Sequence, residues 1–529
     1  MKRYELIVIG AGPAGLSAAI EAAKSGMEVI VFDENSRPGG QLFKQIHKFF
    51  GSKEHRAKVR GFKIGEELLE EAKKVKVKVV LSATVMGIFR EKEITVMIDG
   101  EVNHFKADKI IVATGASENM VTFKGWTLPG VIGAGAAQTM MNLHGLRPGK
   151  KVLMLGSGNV GLVVSYQLKQ AGCDVVAIID AAPKIGGYGV HAAKVARLGV
   201  PFYLSNTIIE AQGEDCVNGV VIGEVDNKWN IIPGTEKHFD VDTICLAVGL
   251  SPMSQLLKAA GCDMEDSPKK GGLVPICDEY GETSIEGIFA AGDVSSIEEA
   301  SSAMIEGRMA GAAAAKCAGY VEENSFIKRY HELEEALGQL RQGMFGPRSK
   351  GKDLKYTDEG IELSTSLLKN GYIDESEITN FPGVTINAKG IHPVIECTQN
   401  IPCNPCQDAC INHCIKIGCN ITSLPIVDEN VKCTGCGMCV ASCSGQAIFL
   451  VNETYEQGYA TVTIPYEFLP LPKAGDMGIG LDRSGAEVCE VQVLEVRSAK
   501  PMDHTNLLTM KVPVDMAMKA RFIKMKGAS

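Results

Sequence analysis

One pattern, written twice, restricts this chain more than any other feature. Residues 5–9 (Glu-Leu-Ile-Val-Ile) form a short apolar run that leads into Gly10-Ala-Gly12-Pro-Ala14-Gly15. An Ala-rich stretch follows from Leu16 to about Ser25, then a second apolar run, 28–32, that ends in Asp33-Glu34. The same order recurs later. Val152–Leu155 leads into Gly156-Ser-Gly158-Asn-Val-Gly161, and 175–179 ends in Asp180. Each copy reads as buried parallel strand, tight turn, helix and second strand, so the expected class is α/β with parallel sheets.

The glycines give the pattern its chemistry. The first of each set (Gly10, Gly156) permits the turn. The second (Gly12, Gly158) lets backbone come close to a pyrophosphate facing the helix N-terminus, with Ala14 beside it in the first copy. The third (Gly15, Gly161) lets helix and strand pack closely. Asp33 stands 23 residues after Gly10 and Asp180 stands 24 after Gly156, each where a carboxylate can accept hydrogen bonds from a ribose. Glu34 is one residue late and is the weaker candidate. An acid at 180 favours the free 2′-hydroxyl of NAD over the 2′-phosphate of NADP, and no Arg follows it before Arg197. A retained fold with a silent nucleotide site is the alternative for this second copy.

Composition narrows the function classes. At 529 residues the chain has material for about three or four domains. Hydrophobic residues at 45% and charged residues at 22% exclude a wholly disordered chain. A net charge of −9 without a basic patch disfavours nucleic-acid binding. No apolar run approaches the roughly 18 residues of a membrane span, and Glu5 interrupts the apolar N-terminus. A cytoplasmic protein without a targeting segment is expected.

Further elements fall in a telling order: Gly39-Gly40-Gln41, then Ile111-Val-Ala-Thr114-Gly115, then Gly287-Ile-Phe-Ala-Ala-Gly292-Asp293. This set resembles the FAD-site elements of the two-dinucleotide-binding-domain flavoproteins of the glutathione-reductase-like superfamily. The resemblance implies that Asp293 holds the flavin ribityl and phosphate region, with Gly40, Gln41, Thr114, Gly115 and Gly292 around the cofactor. A helix over 298–316 is expected to direct its N-terminal dipole towards a reduced, anionic flavin. Cys245-Leu-Ala-Val-Gly249 reads as the strand that returns to the FAD half. Thiol-disulfide reductases of that superfamily place a Cys pair beside the flavin, whereas 116–150 contains no Cys, so no thiol relay is expected. Segments 125–138 and 39–51 instead resemble the flavin subunit of multi-subunit amine and amino-acid dehydrogenases, a group that includes opine oxidases, hydrogen cyanide synthase and archaeal proline dehydrogenases. That resemblance covers about 1–320. His47 is a candidate to lie over the flavin, although a solvated loop position is the weightier reading.

Ten of the 17 cysteines lie between Cys397 and Cys443. Cys433-x2-Cys436-x2-Cys439-x3-Cys443 is the spacing of bacterial [4Fe–4S] ferredoxins, in which the fourth thiolate crosses to a second cluster. Zinc prefers separated Cys pairs. The partner run is less regular: Cys397-x5-Cys403-x2-Cys406-x3-Cys410, then Cys414 and Cys419. Aligning the x3 gaps assigns Cys397, Cys403, Cys406 and Cys443 to one cluster, and Cys433, Cys436, Cys439 and Cys410 to the other. Regular spacing would place a ligand at Asn400, so Cys397 must reach in over a longer loop. Cys414 competes with Cys410; otherwise Cys414 and Cys419 read as small buried residues.

The expected domains are a discontinuous FAD-binding domain (1–119 and 246–325), an NAD-binding domain (120–245), a helical connector (326–395) with helices at 326–341 and near 357–369, a 2[4Fe–4S] ferredoxin-like domain (396–452) and a small β domain (453–529). NAD(H) carries hydride, iron–sulfur clusters carry single electrons, and flavin handles both. The expected function is an FAD- and iron–sulfur-containing electron-transfer subunit of an amine or amino-acid dehydrogenase complex, with a second flavoprotein as partner in a hetero-oligomer. The proline- or opine-like substrate class comes from the resemblance. A free-standing NADH:ferredoxin-type oxidoreductase, and an electron-wiring module with a structural second nucleotide site, stay open.

Overall fold

The structure, a computed structural model, describes residues 1–342, 366–386 and 388–526. They fall into two compact units: Met1–Asn119 with the stretch beginning at Gly249, and Met120–Val248 with the described residues from 366 onward.

In the first unit the apolar run at the N-terminus is the strand Lys2–Ile9, whose last four residues are all buried. It lies between parallel neighbours Val29–Phe32 and Glu101–Val112, with Ile9 level with both Phe32 and Val112. Lys78–Val80 extends the sheet on one side, and Ile288–Ala290 pairs with Glu101–Val112 on the other. Strands Ala83–Phe89 and Glu93–Ile98 continue it as an antiparallel wing. Strands buried on both faces show no polar alternation, which is why this region reads as continuous apolar runs.

Helices Pro13–Lys24 and Ala300–Cys317 cover one face. They approach so closely that a Cβ on Gly307 would lie 2.1 Å from the Ala14 carbonyl oxygen, and one on Gly311 2.3 Å from that of Ala18. The second helix begins two residues later than the sequence suggests. The expected helix over 326–341 is Glu323–Leu340, and its Phe326 joins the core beneath Pro13–Lys24.

The second unit repeats the plan. Its parallel sheet runs Phe202–Leu204, Asp174–Asp180, Lys151–Leu155, Thr243–Leu246, Val131–Gly133. Thr243–Leu246 therefore belongs to this second sheet and does not return to the first half as expected. It stands beside Lys151–Leu155 as Glu101–Val112 stands beside Lys2–Ile9. A three-stranded antiparallel layer (Asn206–Gln212, Gly219–Glu224, Lys237–Phe239) packs on it.

The C-terminal strands form one antiparallel sheet of seven, in the order His392–Ile395, Ile448–Glu456, Tyr459–Tyr466, Asn506–Pro513, Glu487–Arg497, Met477–Leu481, Phe522–Met525. The expected boundary at 452/453 falls inside Ile448–Glu456, and the region expected to be a helical connector supplies the strand His392–Ile395. The cysteine segment is thus inserted between two hydrogen-bonded neighbours of the sheet. Of the helix expected near 357–369, residues 357–365 lie outside the described residues, and Leu367–Asn370 is one helical turn. Among the described residues no helix is long and apolar enough to cross a membrane.

Because backbone, not a mobile side chain, faces Gly307, Gly307→Ala is expected to destabilise the first unit by about 1–3 kcal/mol. Thermal denaturation should show a lowered midpoint, with Gly338→Ala, where a Cβ meets nothing within 4 Å, as the neutral comparison.

Candidate functional site

The ends of the parallel strands build two cradles on the same plan. In the first, Gly10 takes φ +103°, and a Cβ there would lie 2.3 Å from the Ala113 carbonyl oxygen. In the second, Gly156 takes φ +110°, and its Cβ would lie 2.2 Å from the Ala247 carbonyl. Only glycine accommodates both the left-handed turn and the neighbouring strand end. Gly15 and Gly161 would place a Cβ 1.8 Å and 2.0 Å from the carbonyls of Gly10 and Gly156. Gly12 and Gly158 differ from these: a Cβ on either meets nothing within 4 Å. These two N-cap residues leave open space at helix N-termini whose amides favour an anion.

The acids are more committed than their sequence positions imply. Asp33 is buried, and its carboxylate accepts from the Ala11 amide (2.6 Å) and from the Asn35 amide and side chain (2.8 and 2.9 Å). Asp180 accepts from the Ser157 amide and hydroxyl (2.7 and 2.6 Å) and from the Ala182 amide (2.9 Å). Each therefore ties the strand end to its own glycine loop, and a ribose contact has to share a carboxylate already holding three donors. Glu34, the weaker candidate, is exposed at the cradle edge, whereas the second cradle has Ala181 at the matching place.

The remaining elements gather at the first cradle. The Gly39 amide donates to the Ala11 carbonyl (2.7 Å), and a Cβ on Gly40 would lie 2.9 Å from the Gly12 Cα. Gly292 (φ +76°) lies against Ala14, where its Cβ would meet the Ala14 methyl at 2.9 Å. The Gly292 amide donates to Glu306 (3.1 Å), which Arg341 also pairs with, and Asp293 accepts from the Glu298 amide (3.2 Å). The Thr114 hydroxyl donates to the Met253 carbonyl (2.7 Å), Gly115 takes φ +73°, and Gln41 is exposed. Gly10, Gly12, Ala14, Gly40, Gly292 and Asp293 are thus brought together. His47 is half-buried and stacked on Phe49 at 5.6 Å, so it is not a solvated loop residue.

The second cradle has a feature the sequence reading missed. Gly186 and Gly187 fold over it: their amides donate to the Ser157 hydroxyl (3.2 Å) and carbonyl (3.0 Å). The signal was present, since Gly186-Gly187 follows Asp180 at the interval by which Gly39-Gly40 follows Asp33. Both cradles are built as one repeated unit. Elsewhere in the first unit, Cys262 and Cys277 are held protonated, chiefly by burial, with Cys277 pushed up to about 12. Buried protonated thiols are poor nucleophiles.

The cysteine segment has its own twofold pattern. Short helices Pro405–Ala409 and Met438–Ser442 each carry a cysteine as second residue (Cys406, Cys439) and end on a cysteine (Cys410, Cys443). Strands Ile415–Lys416 and Ile426–Val427 pair between them. The Cys397 thiol is pushed up by burial and then by Cys443 and Cys406, and Cys406 is pushed up to about 12 by burial and then by Cys443. Burial pushes Cys433 up, opposed by the Gly435 amide and then reinforced by Cys436 and Cys410, while burial and then Cys433 and Cys436 push Cys439 up. Cys397, Cys406 and Cys443 thus act on one another, as do Cys410, Cys433, Cys436 and Cys439, with Cys406 also acting on Cys439. Cys414 belongs to the second set, with its sulfur 3.2 Å from that of Cys410, whereas Cys419 is exposed and not the buried residue expected. Backbone amides point at three of the sulfurs: Ala447 at Cys443, Cys414 at Cys410 and Gly435 at Cys433 (3.3–3.4 Å). Among the described residues no group of three or more His, Cys, Asp or Glu side chains is arranged to hold a metal ion. Thiols of these two sets, buried or half-buried apart from the exposed Cys436, with amides directed at sulfur, are of the donor type that thiolate-held iron clusters use.

Comparison with known proteins places residues 4–307 within the model of a family described as pyridine nucleotide-disulphide oxidoreductase. An opine oxidase subunit of Rhizobium meliloti is 28% identical over 65% of this chain and 70% of its own length. Hydrogen cyanide synthase subunit HcnB of Pseudomonas protegens is 25% identical over 67% of this chain and 78% of its own. Thioredoxin reductase of T. acidophilum superposes with a TM-score of 0.50 at 22% identity, over 60% of this chain and 99% of that one.

Two substitutions separate anion binding from loop architecture. Gly12→Ala should leave thermal stability within about 0.5 kcal/mol of the native chain, since its methyl meets no protein atom, while flavin content after purification falls. Asp180→Ala strands the Ser157 amide and should cost about 1–3 kcal/mol of stability even without nucleotide. A carboxylate that served ribose alone would leave the melting midpoint of the nucleotide-free protein unchanged.

Proposed function

Because this chain belongs to the pyridine nucleotide-disulphide oxidoreductase family and is therefore a flavin oxidoreductase, we propose that it is the FAD- and iron–sulfur-containing electron-transfer subunit of an amine or amino-acid dehydrogenase complex. The observation that carries the reading is the presence, on one chain, of two dinucleotide cradles and two gatherings of cysteine thiols. Bound FAD would exchange hydride with a nicotinamide and single electrons with iron–sulfur clusters. Catalysis by the chain itself is then chiefly positioning.

In the first cradle Gly12 and the N-terminus of Pro13–Lys24 receive the FAD pyrophosphate, Glu34 and the remaining capacity of Asp33 face the adenosine ribose, and Asp293 accepts from the ribityl hydroxyls. Glu306 holds the amide before Asp293, and Arg341 holds Glu306, so the turn is braced from behind. In the second cradle Gly158 and the N-terminus of Asn159–Gln170 receive NAD(H), with Asp180 maintaining the loop. Cys397, Cys403, Cys406 and Cys443 hold one [4Fe–4S] cluster; Cys433, Cys436, Cys439 and Cys410 hold the other.

The order strand, helix, two paired strands, helix, strand from His392 to Glu456 supports a ferredoxin-like domain, since Cys406 and Cys410 occupy the places of Cys439 and Cys443. Similarity to named subunits of opine oxidase and hydrogen cyanide synthase supports a partner flavoprotein, and the resemblance gives it a proline- or opine-like substrate. The exposed Glu34 has no counterpart in the second cradle, which favours, as a second reading, a site there that binds its nucleotide without 2′-hydroxyl discrimination.

Anaerobically purified protein should contain flavin and about eight iron atoms per chain. NADH should bleach the flavin band within the mixing time of a stopped-flow experiment, and a second flavoprotein should co-purify from the native source. A colourless chain, or one that binds zinc in place of iron, would remove the proposal; unbleached flavin would remove NAD(H) alone.

A further inference from the structure

Three arginines are buried around the single carboxylate Glu396. Arg197, Arg483 and Arg521 are 5%, 6% and 0% exposed, and Glu396 is 8% exposed. Arg483 donates two hydrogen bonds to Glu396 (2.7 and 3.1 Å) and Arg521 a third (2.6 Å). Arg197, which follows the helix Gly189–Ala196, donates to the Gln446 carbonyl (3.0 Å). Arg197 and Arg521 both lie over the ring of Phe449, at 5.1 and 5.0 Å. Among the described residues, Arg483 and Arg521 pair with Glu396, while Arg197 makes its hydrogen bond to a neutral carbonyl, so positive charge exceeds negative charge in this part of the interior.

That excess sits beside one set of cysteines. Glu396 directly precedes Cys397 and its amide donates to the Ala447 carbonyl (2.8 Å), the Ala447 amide points at the Cys443 sulfur (3.4 Å), and Gln446, whose carbonyl Arg197 binds, is the third residue after Cys443. The other set has a different setting. Arg497 donates to the carbonyls of Gly435 and Cys436 (3.2 and 3.3 Å), but its side chain is one-third exposed and faces Glu495 at 3.6 Å. Cys436 is itself exposed. Exposed charges are screened, whereas buried ones act at full strength over short distances.

We infer that the cluster held by Cys397, Cys403, Cys406 and Cys443 has the higher reduction potential of the two and is the place where an electron comes to rest, because Arg197 and the Glu396–Arg483–Arg521 group supply its counter-charge. This deepens the proposed function and rests on it. A cubane bound by four thiolates is an anion, and reduction adds one more negative charge without a proton. Nearby buried cations stabilise the reduced form, and net charge and solvent exposure are among the factors that set such potentials. An electron moving between the clusters oxidises one and reduces the other, so no further reactant is needed. Arg197 is here a positioning residue for charge; it comes from the nucleotide-binding half of its unit, so the fold of that half helps to set the potential.

The test is a dithionite redox titration of the full-length anaerobic protein, followed by electron paramagnetic resonance. Two cluster signals should titrate at separate midpoints. Cys397→Ser should abolish or alter the higher-potential signal and Cys433→Ser the lower one. The reverse assignment, or coincident midpoints, would overturn the inference while leaving the proposed function intact; an iron-free native chain would overturn the proposed function itself. Arg197→Gln should move only the higher midpoint, to more negative potential, and Arg197→Lys should restore most of it. A fully iron-loaded Arg197→Gln protein with both midpoints unchanged would equally overturn it. Should that variant not fold, the assignment from the two serine variants decides alone.

Discussion

The carbonyl oxygen of Ala113 occupies the place where a side chain on residue 10 would have to go, and that of Ala247 does the same for residue 156. The rest of the molecule is arranged around this exclusion. Parallel pairing aligns Ile9 with Val112, and Leu155 with Leu246, which carries the next peptide of the neighbouring strand over the turn. The turn must then be glycine. The helix that follows must start close beneath it, so the third glycine is also fixed. What results is an opening walled by backbone, with helix amides at its base, and such an opening suits a phosphate.

Both cradles also require something to keep the loop from collapsing or swinging away once the side chains are gone. Asp33 and Asp180 do this by accepting from the loop amides, and Gly39 and Gly187 do it from the other side by donating to the loop carbonyls. A pre-formed site loses less conformational entropy when it binds. The same logic extends outward at the first cradle, where Arg341 holds Glu306 and Glu306 holds the amide of Gly292.

Much of this was legible in the amino-acid sequence because glycine at a forced turn leaves no substitute. Both fingerprints stand where spacing placed them, the Gly292-Asp293 turn stands where the resemblance placed it, and the helix after it begins two residues later. The x3 gaps before Cys410 and Cys443 stand out in the sequence, and each of these cysteines ends a short helix. What was not legible depends on partners distant in sequence. A carboxylate 23 residues after a glycine reads as a ribose acceptor, and nothing local reveals that its oxygens are filled by Ala11 and Asn35. Thr243–Leu246 is an apolar run that either sheet could have taken; its register with Lys151–Leu155 decides the matter. Glu396 lies 87 residues from Arg483 and 125 from Arg521, and periodicity carries no trace of their pairing.

The strand Ile448–Glu456 serves two masters. Its start closes the frame that carries the cysteines, and it is at once an inner member of the seven-stranded sheet, bonded to His392–Ile395 on one side and to Tyr459–Tyr466 on the other. The cysteine-rich portion is for that reason no detachable cassette. Excising it at the end of the cysteine run would strip the sheet of a covering strand and bare a hydrophobic margin, the kind of edge along which chains stack into aggregates. A gene fusion that moved the cysteine-rich segment would have to carry the sheet along with it.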